Sequence, residues 1–216
     1  MSLLIAIDGP AASGKGTLAQ RLGVALDLPV LDTGLLYRAV GAAVAAAGQD
    51  PDDAKAASRA ARDLDVAAIA PEALGAREAG ELASRVAVHP GVREALLDIQ
   101  RRFAARPEGA ILDGRDIGTV ICPEAPVKLF VTASAEARAQ RRWRQLLGRG
   151  ESVSYEAILE DIRARDARDA SREAAPLRPA PDAALLDTTD LSIDEAFDAA
   201  RRIVEAARDR PGPGGP

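Results

Sequence analysis

Gly9-Pro-Ala-Ala-Ser-Gly14-Lys15-Gly16-Thr17 stands between a short aliphatic run, Leu3 to Ile7, and a stretch with apolar residues at helical spacing, Leu18, Leu22, Ala25 and Leu26. Strand, glycine-rich loop, then helix is the context in which G-x-x-x-x-G-K binds phosphate. The glycines let backbone N–H groups turn inward around an anion, and the helix N-terminus adds positive potential. Lys15 is placed to reach the β- and γ-phosphates of a nucleoside triphosphate. The pattern departs from the usual G-K-[ST], because Gly16 intervenes before Thr17. Thr17, or the Gly16 N–H with water, must then serve the magnesium and α-phosphate side. GTPases, ATPases and small-molecule kinases all use such a loop, so it leaves the acceptor open.

Outward from the loop, strands and helices alternate. Strands are expected at Pro29–Leu31, Ala110–Leu112, Val127–Thr132 and Ala183–Leu186. Helices are expected from Leu35 to about Ala47, Glu72 to Val88, Pro90 onward, Ser134 onward, Tyr155 to about Ala174, and Ser192 to Ala207. Asp52 or Asp53 should cap a helix after the Gly48–Asp53 turn, and Ser192 with Glu195 forms a capping-box pattern. This alternation predicts an α/β fold, a parallel sheet with helices on both faces. Ligands in such sheets sit beyond the carboxyl ends of the strands. Asp8-Gly9, Asp32-Thr33-Gly34 and Asp113-Gly114 all fall at such ends.

The 216 residues suffice for one domain with a small inserted lobe. A net charge of −5 argues against a nucleic-acid partner. Aromatics make up only 3%, so the core must be aliphatic. Cys122 is the single cysteine, which excludes an intrachain disulfide and fits a reducing cytoplasm. No signal-peptide pattern opens the chain, and no apolar run is long enough for a membrane. Residues 209–216 read as a disordered tail. A monomer is the expected state. His89 before Pro90 reads as structural, Cys122 as a packed thiol, and Trp143 as lid or surface packing.

Three segments point to the acceptor. Asp32-Thr33-Gly34 with Tyr37-Arg38 offers a hydroxyl and a guanidinium after a strand. Asp113-Gly-Arg-Asp-Ile-Gly-Thr119 packs two acids and an arginine between glycines, more polar chemistry than a plain turn needs. Arg165, Asp169 and Arg172 share one helix face, at i, i+4 and i+7. A solvated, ion-paired helix is the plainer account of that face. A clamp is the sharper one, since arginine forks match phosphate oxygens. Arg138, Arg141, Arg142 and Arg144 precede the Gly-containing break Leu147–Ser154, as in a lid that closes over a nucleotide. From these residues alone, kinases for AMP, UMP or shikimate stay open, as does a non-catalytic nucleotide-binding module.

Taken together, Asp8 to Thr17, Leu31-Asp-Thr-Gly34 with Tyr37-Arg38, Val92 to Leu97, Asp113 to Thr119, Ala125-Pro-Val-Lys128, and Arg165 to Asp169 with Arg172 resemble the bacterial cytidylate kinase family. Order and spacing match over nearly the whole chain. The resemblance implies a P-loop kinase fold over residues 1–208, with a small NMP-binding insert at about 48–92 and a short lid at about 141–154. It implies transfer of the ATP γ-phosphate to CMP and dCMP with Mg²⁺. Gly9, Pro10, Ala11, Ala12, Ser13, Gly14, Lys15, Gly16 and Thr17 would hold ATP. Thr33, Arg38, Ser84, Arg93, Arg115, Asp116, Arg165, Asp169 and Arg172 would hold CMP. Lys15, Arg115, Arg141, Arg142 and Arg165 would gather transition-state charge. The metal would have no direct protein cage, being bound through ATP and water, near Thr17 and Asp113. Two departures stand out. Thr33 replaces a frequent Ser, and Asp65 to Arg77 lacks the alternating strands that the family often places in the insert.

Overall fold

The structure is a computed structural model that describes residues 2–208, so the expected tail lies outside the described residues. Five strands form one all-parallel sheet in the order β2-β3-β1-β4-β5. They are β1 (Leu4–Asp8), β2 (Val30–Asp32), β3 (Ala110–Gly114), β4 (Val127–Thr132) and β5 (Ala184–Asp187). Alternation in β1 explains the two covered faces. Ile5 and Ile7 pack on one side with Leu18 and Leu22 of α1 (Lys15–Leu26) and Ala200 and Val204 of α8 (Ile193–Arg208). Ala6 and Leu112 pack on the other with Ile117, Ile121 and Cys122. Every one of these side chains is aliphatic or a thiol, as the shortage of aromatics requires.

The remaining helices are α2 (Thr33–Ala46), α3 (Ala54–Arg62), α4 (Arg77–Val86), α5 (Pro90–Ala104), α6 (Ala135–Gly148) and α7 (Tyr155–Ser171). Two cores stand apart from the sheet. Leu36, Val40, Val44, Ala57, Val86, Val92 and Leu96 join α2 through α5. Ala139, Leu146, Ile158 and Ile162 join α6 to α7, and Trp143 donates to the Val153 carbonyl at 2.9 Å to close their connection.

Several expected boundaries move. Asp53, not Asp52, caps α3, accepting from the N–H groups of Lys55 and Ala56. Ser192 and Glu195 exchange the two bonds of a capping box. The helix expected over Glu72–Val88 is interrupted: a 3₁₀ turn runs Pro71–Leu74, and α4 begins only at Arg77. Pro71 starts that turn, and the chain leaves it at Gly75 and runs extended through Ala76 before α4 begins. Between residues 48 and 92 the described residues hold helices and 3₁₀ turns and no strand. β3 extends two residues past Leu112, and a π turn at Ile117–Ile121 follows it.

Candidate active site

The carboxyl ends of three neighbouring strands bring Asp8, Asp32 and Asp113 together, in the register Asp8–Gly114 and Asp32–Asp113. The phosphate loop leaves β1 at Gly9, where a Cβ would sit 2.0 Å from the Val131 carbonyl oxygen, so only glycine fits. At its far end Gly14 occupies the residue before α1 with φ +91°, a left-handed conformation that glycine adopts without strain. Two of the loop's carbonyls are held by side chains that lie outside the cleft lining. Thr188 Oγ1 donates to Ser13 O at 2.9 Å, and Arg138 donates to Ala11 O at 3.3 Å. Carbonyls so tied leave the N–H groups to face an anion.

A cleft of about 710 Å³ opens over this loop. Ala11, Ala12, Gly14, Lys15, Gly16 and Thr17 line it, whereas Gly9, Pro10 and Ser13 lie outside the lining. Lys15 Nζ stands 3.5 Å from Asp113 Oδ1. Burial first, then the Arg115 guanidinium, pushes the Lys15 ammonium down to about 8, against the pull of Asp113 and Asp32. Burial likewise raises the Asp113 carboxyl. An anion bound here would favour the charged ammonium again.

Thr33, Arg38, Arg93, Arg115, Asp116, Arg165 and Arg172 also line the cleft. Thr33 Oγ1 donates to Asp113 O at 2.8 Å, and Arg38 pairs with Asp32 at 2.6 Å. Arg93 pairs with Asp116, both nearly buried. Burial raises the Asp116 carboxyl, with Arg93 and Arg172 opposing it. The face of α7 divides as the spacing foresaw. Asp169 is fully buried and is met by Arg172, by Arg115 at 3.2 Å and by Arg165 at 4.0 Å. Arg163 and Arg168 turn outward to Glu136 and Glu81. Ser84 lies behind the lining, buried, with no partner for its hydroxyl among the described residues.

The lid arginines separate. Arg142 lines the cleft and donates to the Gly75 and Ala76 carbonyls at 3.2 Å. Arg141 lies outside the lining and donates to the hydroxyl and carbonyl of Thr188. Arg77 holds Asp161 through two bonds, at 2.5 and 2.9 Å, so α4 touches α7 across the mouth. His89 Nε2 lies 2.9 Å from Pro51 O, and burial pushes the Cys122 thiol up to about 11; both are structural, as expected.

One contributor, Thr188, carries no motif. Asp8 stands at a strand end that the sequence marks, and the structure adds its role there: it accepts from the N–H groups of Ile117 and Gly118, each at 2.7 Å. It thereby fixes the turn that carries Arg115 and Asp116. Burial pushes the Asp8 carboxyl up to about 7, against those two bonds. A carboxyl raised in the fold binds its proton more tightly there than in the unfolded chain. Its contribution to stability therefore falls as pH rises from about 4 to about 7. In urea unfolding at pH 5 and pH 7.5, Asp8→Asn should gain on wild type at the higher pH. An unchanged difference between the two proteins would contradict the shift.

No group of three or more His, Cys, Asp or Glu poised for a metal occurs among the described residues. The donor set fits a magnesium ion carried by a nucleotide: the Asp113 carboxylate, held only at 3.5 Å by the Lys15 ammonium, and the Thr17 hydroxyl both belong to residues that line the cleft. Among the described residues no helix is long and apolar enough to cross a membrane.

Comparison with known proteins agrees with this geometry. The cytidylate kinase family model matches residues 5–206. A cytidylate kinase of Caulobacter sp. strain K31 is 61% identical over 97% of this chain and 97% of its own. One of Xanthobacter autotrophicus strain Py2 is 66% identical over 95% of this chain and 99% of its own. The crystal structure of an uncharacterized protein from Eubacterium ventriosum shares the fold, with TM-score 0.55 and 14% identity, over 97% of this chain and 100% of that one. A family model that spans nearly the whole chain, and relatives at 61% and 66% identity, show that the chain belongs to the cytidylate kinase family.

Proposed function

We propose that this protein transfers the γ-phosphoryl group of ATP to CMP and dCMP, giving CDP and dCDP for pyrimidine nucleotide metabolism. The observation that carries the reading is one cleft lined both by Gly14–Thr17 and by Arg93, Asp116, Arg165 and Arg172. A shared cleft can hold donor and acceptor face to face, as in-line transfer requires.

No side-chain nucleophile is needed, because the acceptor's own phosphate oxygen attacks. The loop N–H groups and Lys15 hold the donor phosphates. Arg38, Arg115 and Arg165 converge from the acceptor side on the space where the phosphoryl group passes. Arg142 is the better placed of the two lid candidates, since Arg141 would first have to surrender two bonds to Thr188. Magnesium, held through ATP and water near Thr17 and Asp113, would neutralise charge on the β- and γ-oxygens. Asp169, buried behind the lining, orients the arginines that face the acceptor, and Thr33, which lines the cleft, offers its hydroxyl on the sugar side. Asp116 as acceptor and Arg93 as donor have the polarity to read the exocyclic amine and ring carbonyl of cytosine. Ser84 offers a hydroxyl behind them. The insert at about 48–92 and the lid at about 141–154 are read as moving against the sheet: the insert packs with α2 and α5 into a core of its own, and the lid lies between α6 and α7 in another. A monomer in a reducing cytoplasm completes the reading, the compartment because a chain with one cysteine carries no intrachain disulfide.

Phosphorylation rates on CMP, dCMP, UMP and AMP test the reading. CMP and dCMP should be turned over well ahead of the others. Equal rates on UMP and CMP would overturn the cytosine assignment, and ATP binding without turnover of any acceptor would favour a non-catalytic module. Asp116→Ala should lower kcat/KM for CMP by roughly 10²-fold, since Arg93 is left buried without its partner, and leave KM for ATP nearly unchanged. Intact CMP kinetics in that variant would remove Asp116 from the base site.

A further inference from the structure

We propose that Arg138 is a positioning residue that sets the distance between the phosphate loop and the acceptor clamp. Its side chain is only 5% exposed and lies outside the cleft lining. Nε donates to Ala133 O at 2.9 Å, just beyond the end of β4. Nη1 donates to Ala11 O of the phosphate loop at 3.3 Å and to Asp166 Oδ1 at 3.0 Å. Nη2 donates to Asp166 Oδ2 at 2.6 Å. These four bonds engage four of the five N–H groups of the guanidinium, so it has little left to offer a nucleotide.

The partners belong to three different parts of the machine. Ala133 is anchored to the sheet, Ala11 belongs to the donor loop, and Asp166 rides on α7 between Arg165 and Asp169. The fork on Asp166 is bidentate, which fixes orientation as well as distance. Arg138 thus spans from the backbone that cradles the donor phosphates to the helix that carries the acceptor's arginines. Lysine has one point charge and no fork, and it cannot hold Ala133, Ala11 and Asp166 at once. Loosening this strut would leave both substrates bound but poorly aligned. Misplacement of about 1 Å costs on the order of 10²-fold in rate.

This inference rests on the kinase reading above. Its test compares wild type, Arg138→Lys, Asp166→Asn and the double variant in kcat, in KM for ATP and CMP, and in Tm. Each single variant should lose roughly 10- to 100-fold in kcat with both KM values within about threefold of wild type. The double variant should be no worse than the poorer single, because one strut is broken only once. Wild-type kcat in Asp166→Asn would overturn the proposal, as would losses that multiply in the double variant, which would mean that Arg138 acts on the substrate directly. So would a lowered Tm with unchanged kcat, which is the mark of a merely structural pair. If Arg138→Lys does not fold, Asp166→Asn decides alone by the same criteria. A wild-type protein inactive on CMP would overturn the kinase reading and the strut with it, whereas an active wild type with a silent Asp166→Asn overturns the strut only.

Discussion

Replacing Lys15 with alanine should lower turnover at saturating ATP and CMP by roughly 10³-fold or more, because one fixed charge on the transferring phosphoryl group is removed. The lysine is held where that charge acts. It is the first residue of α1, nine-tenths buried, and its ammonium lies at the meeting point of the phosphate loop and the β3 end. A buried ammonium interacts with phosphate through a medium less polarizable than water, so its loss is felt strongly. The fold should tolerate the change. Burial already raises the Asp113 carboxyl, so that group can take up a proton once its partner is gone. Lys15→Arg should not restore the rate, since a broad fork cannot occupy the space of a point charge. Single-turnover transfer from γ-labelled ATP measures the step. A Lys15→Ala protein that kept a tenth of wild-type turnover would place the charge stabilisation elsewhere.

The donor half of this site was legible in the sequence because its signals are local. Gly9, Gly14 and Lys15 act through backbone conformation and helix position, and both are set within nine residues. The parallel sheet was legible for a similar reason, since β1, β2, β3 and β5 are short aliphatic runs ending in an acid or Asp-Gly, and β4, though it carries Lys128 and Phe130, is a short run of mostly apolar residues. The i, i+4, i+7 spacing of Arg165, Asp169 and Arg172 foretold one shared face. It could not tell that Arg115, 54 residues from Asp169 in sequence, would join them. Nor could spacing separate Arg141 from Arg142. They are adjacent on α6 and turn to different neighbours, Thr188 for one and Gly75 with Ala76 for the other. Thr188 meets the phosphate loop across 175 residues. Contacts of that kind arise from strand order, and no local pattern encodes them. The break at Gly75 carries only a lone glycine, and an isolated glycine is tolerated inside a helix at about 1 kcal/mol, so no local signal marks the interruption.

Asp8 and Asp169 show how one residue type takes opposite characters here. Both are buried. Asp8 meets two N–H groups and faces the carboxylates Asp116 and Asp113, so burial prevails and its carboxyl rises. For Asp169, burial also pushes upward, but Arg115, Arg172 and Arg165 together pull further and hold the carboxyl below its ordinary value. The cleft therefore keeps one firmly ionised acid under its arginines and one acid near neutrality behind its loop. Only the first can orient guanidinium groups toward an incoming phosphate.

Asp169→Ala should accordingly be the most damaging change to the fold, at about 3–5 kcal/mol, the usual cost of leaving buried charges without their partner. Removing this carboxylate leaves Arg115, Arg165 and Arg172 facing one another. Their mutual repulsion is already visible in Arg165, which burial and Arg115 push down to about 10. Asp169→Asn keeps the shape and loses only the charge, so it should fall between wild type and alanine. The dependence on pH follows from the sign of the shift. The folded carboxyl lies below its unfolded value, so its stabilisation is fully present above about pH 4 and is lost as pH falls through the folded value. Urea unfolding of wild type and Asp169→Asn should show the full gap at pH 7 and a narrowing gap below pH 4. A gap under about 1 kcal/mol at pH 7 would be the size of an exposed pair, and would mean that the three arginines find other partners. A gap that stays constant into acid would show that packing, not charge, holds Asp169 in place. Added CMP should stabilise the variant less than wild type, because arginines without their carboxylate no longer present a fixed set of donors to the phosphate.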